Sequence, residues 1–155
     1  MAKNKFQDVQ QRLSEADLVD VERRLGIRIP DGVGRHYLEN NGGTPERPCW
    51  ELDNGEQLCI SEFLAMKYSG GDSATLEDTY QSGLKKNILN PGMVPFARDW
   101  GGNYFVFDDQ GQVFFYAMDA WSDKLTVEQN KKKAAKLLTR SFSTFVDKLM
   151  PDENA

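Results

Sequence analysis

Apolar positions near the start of the chain repeat at helical spacing. Leu18, Val21 and Leu25 mark one face. Ser14 stands at an N-cap position with Asp17 three residues on, a capping box with the shorter acid. Leu13 and Leu18 occupy the two positions of a hydrophobic staple. Gly26 sits where a left-handed residue ends a helix. The pattern predicts a helix over residues 15–25. Ile27 and Ile29 then alternate around Arg28 as a short extended link. Asp31 is placed to cap a second helix, with Val33, Tyr37 and Leu38 facing inward. Gly32 and Gly34 weaken that helix, and Asn41-Gly42-Gly43 ends it, because these residues tolerate positive φ.

Short strand-like runs follow. Pro45 and Pro48 punctuate a loop, and Asn54-Gly55 is a hairpin signal inside "CWELDNGEQLC". "LCISEFLAM" reads as a strand and then a short helix capped by Ser61. "SGGDSATLEDTYQSG" reads as a polar, mobile stretch with one or two helical turns around Leu76 and Tyr80. Three strands are predicted in "MVPFAR", "NYFVFDD" and "QVFFYAMD", the last two joined by a turn at Asp109-Gln110-Gly111. Tyr104, Val106 and Asp108 share one face; Phe105 and Phe107 share the other. Apolar residues on both faces predict a central hairpin covered on both sides. "DAWSDKLTVEQNKKKAA" reads as a second long polar loop holding Trp121. "SFSTFVDKLM" closes the chain with a helix capped by Ser141 and striped by Phe142, Phe145, Val146 and Leu149. Helices first, sheet in the middle and helix last predict an α+β fold. A single domain is expected over 1–155, with its core at about 15–150.

Composition narrows the class. The 155 residues are 39% hydrophobic and 28% charged, a globular rather than a disordered balance. The longest apolar run, Val113 to Met118, is far below the roughly 20 residues of a membrane span. "MAKNKFQDVQQ" is too polar for a signal peptide. A cytoplasmic protein without membrane contact is expected. The net charge of −5 is uneven. Residues 1–43 balance, with seven acids and seven bases. Residues 44–84 carry eight acids and two bases, and residues 99–130 carry six acids and one base. Such a middle repels nucleic acid and suits a basic partner; the plainer reading is solubility.

The candidate chemistry is thin. Cys49 and Cys59 match no common zinc spacing. With a two-residue turn at Asn54-Gly55 they point to opposite sheet faces and stay unbridged; a three-residue loop brings them opposite each other. The expectation is two buried thiols in a reducing compartment. His36 is the lone histidine and reads as a surface or packed residue rather than a base. Asp108 and Asp109 are strand neighbours and turn acids, not a catalytic pair. Gly101-Gly102 feeds a strand, not a helix, and no Lys or hydroxyl follows at phosphate-loop spacing. It reads as a tight backbone corner. No catalytic residue, metal site or cofactor is expected.

The landmarks form a familiar series. "LSEADLVDVERRLGIRIPDGVGRHYLENNGG" brings Ile29-Pro30, Tyr37-Leu38 and Asn41-Gly42-Gly43. A second set is Pro95-Phe96-Ala97, Asp99, Gly101-Gly102-Asn103, Phe105 and Phe107-Asp108. A third is Ser141-Phe142 with Phe145. In this order, over about 15–150, they resemble the SUKH superfamily, the Smi/Knr-type domain. Two departures are Ile29 in place of the usual Leu and the glycines Gly32 and Gly34. The resemblance implies one α+β domain with a mostly antiparallel sheet. It also implies an immunity protein that binds and neutralises a cognate toxin, basic and nuclease-like, as a monomer or weak homodimer. The alternative it implies is a scaffold or regulatory module. Contacts are expected from Glu51, Asp53, Asp99, Trp100, Asp119 and Trp121, a mixture of acid and Trp. Each has a plainer reading: Trp100 and Trp121 as core, Asp99 as a brace of the glycine turn, Glu51 and Asp53 as solvated strand acids.

Overall fold

The computed structural model describes residues 2–70 and 73–154. In chain order the elements begin with β1 (Phe6–Gln7), α1 (Glu15–Leu25), α2 (Asp31–Glu39), β2 (Thr44–Pro45), β3 (Cys49–Glu51), β4 (Gln57–Cys59) and β5 (Glu62–Phe63). They continue with α3 (Leu76–Lys85), β6 (Val94–Arg98), β7 (Tyr104–Phe107), β8 (Val113–Tyr116), a 3-10 turn (Met118–Ala120), α4 (Val127–Ala134), β9 (Ala135–Thr139) and α5 (Phe142–Lys148). The main sheet is antiparallel in the order β5-β6-β7-β8-β9; β1-β2 and β3-β4 are separate pairs. The fold is α+β.

Helix α1 follows its sequence signals. Ser14 accepts from the Asp17 N–H at 3.1 Å, and the Asp17 carboxylate accepts from the Ser14 N–H at 2.9 Å. Gly26 ends it at φ +71. In α2, Asp31 is the first helical residue rather than the cap; Pro30 holds the cap position with no side-chain bond. Pro30 has a fixed φ but no group to offer the helix N–H donors.

β7 lies at the middle of the main sheet. Phe105 and Phe107 meet Phe145 and Phe142 of α5, with ring centroids 5.7 and 6.2 Å apart. Phe96 joins the same cluster through Phe63, Phe142 and Phe145. All of these rings except Phe63 and Phe142 have no solvent exposure, and each such ring contributes about 1.5–3 kcal/mol by leaving water. On the other face Tyr116, opposite Tyr104, donates its hydroxyl to the Ile88 carbonyl. Val106 is therefore sealed, as a strand covered on both sides requires.

The Asn-Gly-Gly landmark is a backbone junction. Asn41 is buried; its amide donates to the Gln11 and Met66 carbonyls, and its oxygen accepts from the Met66 N–H. Gly43 has φ +94, and a Cβ there would lie 2.4 Å from the Gln7 carbonyl oxygen. Only glycine lets the two backbones approach this closely.

Four further expectations change. Residues after β4 form β5, not a helix capped by Ser61. Thr75 caps a full helix, α3, over Leu76–Lys85, anchored by buried Leu76 and Tyr80; Gly71 and Asp72 of the polar stretch lie outside the described residues. The second polar stretch holds α4 and runs into the edge strand β9, because Thr126 and Gln129 form a capping box that starts a helix there. The fourth concerns the cysteines. Asp53, Asn54 and Gly55 form a three-residue loop: the Leu52 N–H bonds the Glu56 carbonyl and Gly55 adopts φ +87. That loop shifts the register by one residue from the two-residue turn. Cys49 then faces Cys59 directly, and the two form a disulfide. The thiol reading fails, and with it the cysteine-based ground for a reducing compartment. No described helix is long and apolar enough to cross a membrane.

Candidate functional site

The β6–β7 turn is built around one carboxylate. Asp99 Oδ1 accepts from the Gly101 N–H at 2.9 Å and the Asn103 N–H at 2.8 Å, while Oδ2 accepts from Asn103 Nδ2 at 2.9 Å. The Asp99 N–H donates to the Asn103 carbonyl, closing a three-residue loop whose last member, Gly102, has φ +85. This is a left-handed corner feeding β7, as the glycine pair before a strand predicts. It needs the carboxylate to hold three donors, two backbone and one side-chain, in place. Asp99 is therefore the brace of the turn.

The brace has a consequence for its neighbour. Trp100 sits at the tip of the corner with 87% of its surface exposed. A large ring held on a fixed turn loses little conformational freedom when a partner covers it. Asn103 extends the construction: its side-chain oxygen accepts from the Asp119 N–H at 3.2 Å. Asp119, exposed in the 3-10 turn, thus joins the Trp100 corner. Trp121 ends that turn and is half-buried against the core, the plainer of its two readings. Asn130 of α4 fixes the segment, donating to the Ser122 carbonyl and accepting from its N–H.

Glu51 and Asp53 stand elsewhere. Both are exposed hairpin acids, lining with Lys136–Leu138 of β9 a groove of about 240 Å³. Trp50, between Cys49 and Glu51, stacks on Phe145 at 5.3 Å and belongs to the core. The six residues thus divide. Asp99, Trp100 and Asp119 share one corner, Trp121 supports it, and Glu51 and Asp53 share no hydrogen bond or ion pair with them among the described residues.

His36 packs against Phe6, Phe63 and Phe142, with centroids 4.9, 5.4 and 5.6 Å away. Burial holds its pKa down at about 4, so the ring is neutral near pH 7. This is the packed histidine of the sequence reading. Asp108 spends its carboxylate on the β7–β8 turn. Cys49, Cys59 and Asp152 bring ligand-type atoms within 4.8 Å of one another, but the two sulfurs are bonded together and offer no thiolate. The Trp100 corner is thus an exposed tryptophan on a turn braced by one carboxylate.

Comparison with known proteins agrees with the landmarks. No curated protein matches the chain. The model of the SMI1 / KNR4 family (SUKH-1) matches residues 12–148, from just before α1 to the end of α5. That span takes in the Asn-Gly-Gly junction, the braced corner and the Ser141-Phe142 start of the closing helix, so the chain belongs to the SMI1 / KNR4 family (SUKH-1).

Proposed function

We propose that this chain is an immunity protein that binds a cognate toxin domain one-to-one and blocks it. SUKH domains are a known kind of immunity-protein domain, and the family is not in general one of enzymes. The observation that carries the reading is Trp100, 87% exposed on a turn that Asp99 makes rigid. A tryptophan so presented contributes nothing to the core and is suited to fill a pocket on a partner. Asp119 beside it, exposed in the 3-10 turn, favours a basic toxin surface such as a nuclease offers. Glu51 and Asp53 contribute a second, peripheral acidic edge.

The test begins with affinity capture of the tagged chain from its native lysate, followed by titration of the recovered protein. A single toxin domain, bound one-to-one at nanomolar Kd and inactivated, is the expected result. Trp100→Ala weakens that binding, and Asp119→Lys weakens it further as salt falls. Recovery of signalling or cell-wall components instead, with affinity indifferent to Trp100, moves the reading to a scaffold module.

A further inference from the structure

At the end of the sheet opposite Trp100, the link before α2, the β7–β8 turn and the start of α5 enclose a concavity of about 410 Å³. Three arginines from separate segments line it: Arg28, Arg35 and Arg140. That gathering stands out in a chain of net charge −5. Asp31 lies 3.1 Å from Arg28 and neutralises it. Arg35 and Arg140 form no ion pair among the described residues; Arg140 reaches only the Gln112 side-chain oxygen, at 3.3 Å. Asp109, exposed on the turn, is the other acid of the lining.

Gly32 and Ser143 are also part of the lining. Gly32 is the second residue of α2, and the point its Cβ would occupy is 3.1 Å from Ser143 Oγ and 3.9 Å from Arg35 Nη2. A hydroxyl and a guanidinium therefore converge over a residue that has no side chain. The other four α-helices take a side-chain cap, from Ser14, Thr75, Thr126 and Ser141, whereas Pro30 gives α2 none. The first turn of α2, through Asp31 and Gly32, thus lines the concavity without a side-chain cap, and the helix dipole adds positive potential there.

We propose that this concavity binds the phosphate group of a small phosphate ester. Guanidinium forks, a hydroxyl and backbone N–H groups are donors that match phosphate oxygens through charge-assisted bonds. The volume lies within the roughly 300–1,000 Å³ of small-molecule sites. Arg35 and Arg140 supply the charge, Ser143 and the start of α2 supply short-range donors, and Asp31 moderates the affinity by holding Arg28. The site is separate from the Trp100 corner, and its test uses no toxin, so either proposal can fail alone.

The experiment titrates AMP into the whole chain at low salt, with adenosine as the uncharged control, by calorimetry and by backbone amide NMR. AMP is expected to bind with Kd of about 0.1–1 mM, to shift the Gly32, Val33 and Ser143 amides, and to weaken as salt rises. Arg35→Ala/Arg140→Ala, changes at two exposed side chains, reduces affinity tenfold or more with the melting temperature preserved. Asp31→Asn tightens binding several-fold by freeing Arg28. Absence of AMP binding, equal binding of adenosine, or unchanged affinity in the double variant overturns the proposal.

Discussion

The β6–β7 and β7–β8 turns close opposite ends of the strand they share. In each, an Asp side chain accepts from the N–H groups two and four residues on and from the amide of the latter: Asp99 with Gly101 and Asn103, Asp108 with Gln110 and Gln112. In each, a glycine at positive φ is the third loop residue, Gly102 at +85 and Gly111 at +79. Their surroundings differ. Gly111 is buried, and a Cβ there would meet Pro30 at 3.4 Å; around Gly102 nothing lies within 4 Å. One turn is docked against α2 and the other stands free. The carboxylate brace recurs whether or not the turn's glycine is packed, and Trp100 is exposed on a braced turn. A residue freed from packing on a fixed frame is available for recognition.

Four changes break or sharpen this contrast. The largest effect is expected at the free turn, in binding only. Trp100→Ala should weaken the toxin complex by about 100-fold, or roughly 3 kcal/mol, while thermal unfolding stays within about 0.5 kcal/mol of the parent.

The docked side should show the strongest pH response. His36 lies on the helix that Pro30 begins, and its pKa falls from 6.5 to about 4 in the folded chain, chiefly through burial; Glu39 pulls it up and Lys3 down. Between those values the unfolded chain takes up a proton that the folded chain refuses. Stability should therefore fall as pH drops from about 6.5 to about 4 and gain no further loss from this group below that, by up to about 3 kcal/mol. Denaturant titrations across that window check it, and His36→Phe should flatten the curve.

Removing either brace comes next. Asp99→Ala and Asp108→Ala each strip three bonds from a turn and should cost about 1–3 kcal/mol. Asp99→Ala should also weaken toxin binding by loosening Trp100, whereas Asp108→Ala should leave it unchanged. The smallest effect is at the free glycine: Gly102→Ala should destabilise by about 1 kcal/mol through its backbone conformation alone. Gly111→Ala should cost more, since Pro30 must also yield. Equal losses at the two glycines would mean that docking adds nothing to the turn.

Much of this was legible in local pattern. The α1 caps, the aromatic strands and the closing helix are short-range signals, and each formed where the residues predicted. Asp99 stands among the expected partner contacts with the turn brace as its plainer reading, and the brace is what its bonds show. Three features depended on tertiary context. The Cys49–Cys59 pairing turned on one residue of loop length, which Asn54-Gly55 does not specify. β9 was hidden because the residues before it read as a polar loop and "AKLLT" alone is a short strand signal; pairing with β8 decides it. The arginine concavity joins Arg28 and Arg35, seven residues apart, to Arg140 from the far end of the chain, and no spacing along the chain announces it.

Arg47 lies where three distant stretches meet. Its backbone is paired with the side chain of Asn4, and its Nε donates to the Leu149 carbonyl at 2.9 Å across 102 positions. Cys49, two residues on, exchanges both backbone bonds with Met150. A ribosome releases these stretches in sequence, so residues 46–49 wait for most of translation with half of their partners missing. The hairpin should then be among the last parts to settle, and its cysteines should remain open to stray oxidation until residue 149 leaves the exit tunnel. Arresting synthesis short of that residue should leave the N-terminal helices able to form but the knot at Arg47 untied.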